Sequence, residues 1–231
     1  MIKRVTGGMQ MSSEIGGSGS SLSKTCAVDT GKKWVLATNN AGKLKEFSAL
    51  LNTWNIDVVA QGELGISEAE EPYGTFLENA LAKARHASRV SGLPAIADDS
   101  GLTVAALGGA PGVKSARYAA TTDGHKSDAA NNALLLQNMR GKADRRCAFV
   151  CLLVFVRHAD DPDPVIARGQ WNGLLAETAS GEGGFGYDPL FFVPSLHMSA
   201  AQLPTALKNT ISHRAQALQQ LRTALQAAGL V

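Results

Sequence analysis

The stretch KWVLATNNAGKLKEFSALLNTW, residues 33–54, passes from a short apolar run through a polar hinge into a helical period. Apolar residues recur at 44, 47, 50, 51 and 54, a spacing that gathers them on one face of a helix. A strand therefore leads directly into an amphipathic helix. Downstream the alternation continues. IDVVAQ predicts a strand, and TFLENALAKARHASRVSG predicts a helix that opens with Thr75 and Glu78 at capping-box spacing and closes at Gly92-Leu93-Pro94. Leu77, Ala80, Leu81, Ala84 and Ala87 or Ser88 would form its apolar face. PAIAD reads as a strand, NNALLLQNM as a helix, RCAFVCLLVFVRH as a long strand and DDPDP as a turn. VIARGQWNGLLAE gives one or two strands, and ISHRAQALQQLRTALQAAG a closing helix with Ala215, Leu218, Leu221 and Leu225 inward. Interleaved strands and helices place the chain in the α/β class, without internal repeats.

With 231 residues, 45% hydrophobic and 18% charged, the chain can bury a sizeable core as a soluble globular protein. The formal charge of +2 is concentrated at the start, where Lys3, Arg4, Lys24, Lys32 and Lys33 face only Glu14 and Asp29. The chain beyond Lys33 is close to neutral, so no basic field is present to recruit a nucleic acid polymer. Residues 7–23, GGMQMSSEIGGSGSSLS, read as part of a flexible Gly/Ser-rich leader spanning 1–32, ahead of a single folded domain over 33–231. The three cysteines lack metal-type clustering, and Cys147 and Cys151 fall within one buried strand, which fits a reduced, cytoplasmic setting. Neither a secretory signal nor a run long enough to span a bilayer is visible, so no membrane partner is expected.

Three loops carry chemistry. TNNAGK, residues 38–43, lies between a strand and a helix N-terminus, where unpaired N–H groups and Lys43 suit a phosphate. Leu44 follows the lysine where a Walker A loop would place Ser or Thr, so it is not that motif; a plain polar turn is the alternative. ADDSG sets Asp98 and Asp99 side by side at the expected end of a strand. On extended backbone the two point to opposite faces, so at most one enters a given cleft, and the other reading is an Asx-turn. A chemical role calls for a cation, and the upstream acids Glu68, Glu70 and Glu71 could share hard oxygen ligation of Mg²⁺. GEGGFGYDPLFFVP, 181–194, offers close backbone approach and the flat rings of Phe185 and Tyr187, or else a glycine hairpin with core aromatics. In LKNTISHRAQ, Ser212 can cap the last helix, leaving the cationic His213 and Arg214 in a first turn whose dipole opposes them. The stripe Thr75, Asn79, Lys83 reads as a solvated helix face.

Taken together and in order, ATNNAGKLKEF, TFLENALAKARHA, PAIADDSGLTVAALGGAPGVKSARYA, GGFGYDPLFF and ISHRAQAL strongly resemble the inosine/xanthosine triphosphate pyrophosphatases, over roughly residues 34–225. The resemblance implies a central mixed sheet flanked by helices, two lobes with a substrate cleft between them, and a homodimer. It implies Mg²⁺-dependent attack of water on the α-phosphorus of aberrant purine nucleoside triphosphates, ITP, dITP and XTP, giving monophosphate and pyrophosphate. Carried over, it assigns Thr38, Asn39, Asn40, Ala41, Gly42 and Lys43 to the triphosphate, with Lys83, and Asp99 to the general base and metal-linked carboxylate. Ser100 adjoins the substrate; Phe185, Gly186, Tyr187 and Asp188 line base and sugar; Lys208, His213 and Arg214 complete the nucleotide site. Glu70 or Glu71 is the second metal-linked acid. One departure stands out: Asn39 replaces the glycine of the usual Thr-Gly-Asn, and Asn tolerates a left-handed backbone better than most residues. A nucleotide-binding sensor without efficient turnover is the alternative if that change misplaces the phosphates.

Overall fold

The computed structural model describes residues 33–51, 54, 56–120 and 127–231; the leader expected over residues 1–32 lies outside them. In chain order the elements are β1 (Lys33–Leu36), α1 (Ala41–Leu51), β2 (Asp57–Ala60), α2 (Phe76–Ser91), β3 (Ala95–Val104) and α3 (Asp128–Asn138). They continue with β4 (Arg146–Val156), β5 (Val165–Leu175), β6 (Phe191–Val193), β7 (Met198–Ser199), α4 (Thr205–Ile211) and α5 (His213–Ala227). One sheet of seven strands, ordered β2-β1-β3-β4-β5-β6-β7, runs through residues 31–231, a single compact unit. β1 is parallel to β2 and β3, and every later pairing is antiparallel. The α/β class expected from the alternating pattern and the mixed sheet implied by the resemblance are therefore both present.

Burial follows the coverage of each strand. β4 is buried at every position after Arg146 because α2 packs on it from one side and α5 from the other, which is why RCAFVCLLVFV shows no alternation. β5 is packed by α5 and alternates buried with exposed residues, the period expected when one face meets water. Each end of the long strands has its own core. Trp34, Leu36, Phe47 and Leu51 meet Leu218, Leu221 and Leu225 of α5 in one lobe. Leu102, Val104, Leu135, Phe149, Trp171 and Phe191 fill the other. A third cluster seats Ala80, Ala84 and Ala87 of α2 on Ala95, Ala97 and Val154. The predicted apolar stripe of α2 is thus the packed one at its alanines, whereas Leu77 is exposed. Thr75 caps α2 by accepting the Glu78 N–H at 3.2 Å, and Gly92 closes it in the left-handed region at φ 71°.

Two local expectations are corrected. β3 does not finish at the acidic pair; it runs on to Val104, with Asp98, Asp99 and Ser100 paired to Leu153, Leu152 and Cys151. The chain does not turn there: Asp98 pairs with Lys43 and Asp99 with Asn79 and Lys83 on other elements, while Asp99 Oδ1 accepts the adjacent Ser100 N–H at 3.0 Å. β1 pairs with β3 only at Ala95 and Ile96 and then leaves it, so beyond that point β3 borders an opening instead of a strand. The cleft begins at this divergence, beside the carboxyl end of β1, where α/β sheets place ligands. Among the described residues, no helix is long and apolar enough to cross a membrane.

Candidate active site

The opening is a cavity of about 510 Å³, lined by the loop after β1, the middle of β3, the acidic segment before α2, the Phe185 loop and the start of α5. Its polar wall is built around the two faces of β3. Asp98 points to the α1 and α5 side, where its Oδ2 lies 2.7 Å from the Lys43 ammonium and accepts the Ser100 hydroxyl at 3.0 Å. Asp99 points to the α2 side. There its Oδ2 accepts from Asn79 Nδ2 at 3.2 Å, and Lys83 Nζ stands 3.7 Å from Oδ1. The alternation argument thus holds, but the residue facing away from Asp99 anchors a lysine instead of shaping a turn.

These settings separate two adjacent carboxylates. Burial alone would raise Asp98, yet the charges of Lys43, Lys83 and Arg214 overcome it and hold the group down at about 2. For Asp99 burial dominates, joined by Glu71 and Asp98 against Lys83 and Lys43, and the group is pushed up to about 6. One carboxylate stays ionised while its neighbour can exchange a proton near neutral pH. Burial disfavours the Lys83 ammonium, but Asp98, Asp99 and Glu71 raise it overall.

Asn79 and Lys83, read as a solvated stripe, are drawn into the site. Asn79 is fully buried; besides holding Asp99 it accepts the Tyr73 N–H and donates to the Tyr73 carbonyl, stapling the acidic segment to α2. Lys83 reaches Glu71 Oε1 at 2.6 Å. Glu71 lines the cavity, whereas Glu70 is exposed and does not. Arg117, missed from the sequence, donates to Glu71 twice, to Oε2 at 3.2 Å and to the main-chain carbonyl at 3.3 Å. It lies within the SARYA run, residues 115–119, so the signal was present without a partner to interpret it.

On the phosphate-loop side, Asn40 Oδ1 accepts the Lys43 N–H at 3.0 Å, the contact of an N-cap, and Gly42 lies against the Phe185 ring. Thr38, Asn39, Asn40 and Lys43 line the cavity; Ala41 and Gly42 belong to the first turn of α1. Among the described residues His197 alone of the non-glycines has a positive φ, so Asn39 needs no left-handed backbone. Its amide oxygen instead sits where a Cβ on Gly62 would lie 3.1 Å away, an open place beside a glycine.

The opposite wall carries the rings. Phe185 is half-buried, with the Arg214 guanidinium 4.9 Å and Lys208 Nζ 5.3 Å from its ring centre. Tyr187 lines the cavity with little exposure: it is packed in the core, and its hydroxyl donates to the Ser115 carbonyl at 2.8 Å. Lys208 is buried behind the loop on Asp188, which also accepts the Phe185 N–H at 2.9 Å. His213 and Arg214 are buried, not exposed on the first turn of α5, and Ser212 caps that turn as expected. His213 stacks on Phe149, centroids 4.9 Å apart, and burial with the nearby cations Arg214, Lys208 and Lys43 keeps its imidazole neutral. Ser100 completes the wall, within 3.4 Å of Arg214.

Among the described residues no three His, Cys, Asp or Glu side chains converge as a ready metal cage. A hard cation such as Mg²⁺ is commonly held by one or two carboxylates and otherwise by water and substrate phosphate. Glu71 and Asp99, brought to one ammonium, have the donor chemistry for it.

Cations and hard oxygen donors on one wall of a cavity, and a ring with a guanidinium on the other, describe one class of α/β protein. Within it, the chain belongs to the Ham1 family, which it matches over residues 34–224. A dITP/XTP pyrophosphatase of Ralstonia nicotianae is 63% identical over 190 residues, 82% of this chain and 94% of that one. One of Bordetella pertussis is 60% identical over 200 residues, 87% and 94%. Among solved structures, a HAM1 protein from Coxiella burnetii superposes with a TM-score of 0.79 at 45% identity, covering 84% of this chain and 98% of that chain. The Staphylococcus aureus Ham1 protein gives 0.76 at 39% identity, covering 85% and 100%.

Proposed function

We propose that the protein is a pyrophosphohydrolase that cleaves non-canonical purine nucleoside triphosphates, ITP, dITP and XTP, to the monophosphate and pyrophosphate. The observation that carries this is the opposition of Glu71 and Lys83, the latter 3.7 Å from Asp99 just behind the lining, to the Phe185–Arg214 wall across one cavity. It agrees with the activity named for the relatives in Ralstonia and Bordetella.

In this reading Lys43 and Lys83 receive the triphosphate. Each is held by a carboxylate, so its position is set before substrate arrives and little reorganisation is needed. Asp99 takes the proton of the attacking water, a role for which a carboxylate near 6 is better matched than an ordinary one near 4. Asn79, bonded to the other oxygen, fixes the direction from which Asp99 accepts it. Glu71 and Asp99 would hold Mg²⁺, which supplies charge neutralisation at the phosphates and a water of lowered pKa. Base choice follows from the 6-oxo group of hypoxanthine and xanthine, an acceptor that the Arg214 guanidinium can pair and that the 6-amino group of adenine cannot match. Donor sites of this kind discriminate by up to about 10⁴-fold. The protein acts on a small-molecule nucleotide in the cytoplasm, as a homodimer.

The test is to supply ITP with Mg²⁺ and quantify products. Equal IMP and pyrophosphate support the reading; orthophosphate release would contradict attack at the α-phosphorus; tight binding without product would favour a sensor.

A further inference from the structure

We infer that Asp128 and Asn132, on α3, are positioning residues that fix the Phe185 loop by gripping both polar groups of one residue, Gly186. The inference rests on the proposed function, in which that loop receives the purine.

Gly186 donates its N–H to Asp128 Oδ2 at 2.7 Å, and its carbonyl accepts from Asn132 Nδ2 at 2.9 Å. Four residues apart on a helix, the two side chains project from the same face, one turn above the other, so a single short segment can engage both. The rest of the loop is fixed in the same manner. Phe185 donates its N–H to Asp188 Oδ2 at 2.9 Å, and its carbonyl accepts the Asp188 N–H at 3.3 Å. Every main-chain polar group of Phe185 and Gly186 therefore has a partner, although neither residue belongs to a strand or helix. Gly186 adopts φ 63°, a left-handed conformation that glycine reaches without steric cost, so the loop can present both polar groups to α3 without strain.

Asn132 shows the direction of the grip. Its amide nitrogen serves Gly186 while its own amide oxygen is buried without a hydrogen-bond partner. Flipping the amide would aim oxygen at oxygen, so the donor orientation is the one that holds the loop. α3 is a firm platform for this. Asn131, buried beside Asn132, accepts the Ala119 N–H at 2.7 Å and donates to the Ala116 carbonyl at 3.4 Å, while Leu135 and Met139 are fully within the core. Ala116 and Arg117 line the cavity, so α3 connects the polar wall to the ring wall.

Asp128 is exposed, and its removal should shift the melting temperature little. Asp128→Ala and the isosteric Asn132→Asp, which cannot donate, are each expected to raise KM for ITP about tenfold, the scale of one or two lost hydrogen bonds, while kcat falls far less. Discrimination of ITP against GTP should narrow in both. Asp128→Asn, whose amide oxygen still accepts, should restore KM to within about twofold of the parent. Unchanged KM in Asp128→Ala and Asn132→Asp, or an equal rise in Asp128→Asn and Asp128→Ala, would overturn the clamp. An unmutated protein that does not release pyrophosphate from ITP would instead remove the proposed function on which the clamp rests.

Discussion

Asp98 and Asp99 differ by one position and by the face of β3 they occupy, and nearly all of their chemistry stems from that. Asp99→Asn should lower kcat by roughly 10² or more, the usual scale of a lost general base, with an unchanged melting temperature. Steady-state rates beside a thermal scan check it. Asp98→Asn should act differently. It leaves Lys43 without its buried counter-ion, so unfolding free energy should fall by roughly 3 kcal/mol, as when one partner of a buried pair is removed. KM for ITP should rise with it, which urea denaturation and kinetics measure separately. The two groups also predict a window in pH. Asp99 must be ionised to act, so kcat/KM should fall about tenfold per pH unit below about 6. Its folded value lies above the unfolded one near 4, so protonation between about 6 and 4 favours the folded state. Asp98 has the opposite sign: its folded value near 2 is below the unfolded one, so its stabilisation is present above about 4 and is lost as pH falls toward 2. Between about 4 and 6 the protein should be slow yet folded, and a coincident loss of activity and melting temperature in that window would contradict the assignment.

At the scale of elements, the strands and helices were legible because burial imposes a period, and the site was less so because it violates that period. Asn79 and Lys83 form a polar line on α2 that looks like a wet face; it faces inward because β1 leaves β3 and opens a cavity beneath it. No local pattern announces where two strands diverge. Arg117 and Phe149 were missed for the same reason, since each gains its role from a residue far along the chain, Glu71 and His213. The family resemblance implied Asp99, and the structure adds Asn79, which donates to its carboxylate. Gly169 shows a similar limit. In VIARGQWNG it looks like a weak spot in a strand, but a Cβ there would overlap the His213 carbonyl and lie 2.6 Å from Ala217 N. α5 crosses β5 at this point, so the glycine sets the depth at which His213 and Arg214 enter the cavity. Gly169→Ala should cost about 1–3 kcal/mol from overpacking and reduce kcat/KM for ITP, although it touches no substrate. Unfolding midpoint and kinetics together test this; a stability loss with unchanged kcat/KM would show that the seat of α5 does not govern the site.

Over the whole molecule, the long strands β3, β4 and β5 join two cores, and the cavity lies where the phosphate-side and ring-side walls meet on that shared sheet. Everything the proposed reaction uses lies between Thr38 and Arg214. The family match begins at residue 34, and residues 31–231 form one compact unit. The segment before Lys33 is Gly/Ser-rich and supplies none of the residues that the proposed reaction uses. A protein lacking residues 1–32 should therefore keep its melting temperature within a few degrees and its kcat and KM for ITP within about twofold. The comparison is direct, by calorimetry and product assay on the full-length and shortened chains. A large rise in KM in the shortened protein would mean that the first 32 residues reach the nucleotide, and a large loss of melting temperature would mean that they complete a core; either result would end the description of that segment as a leader.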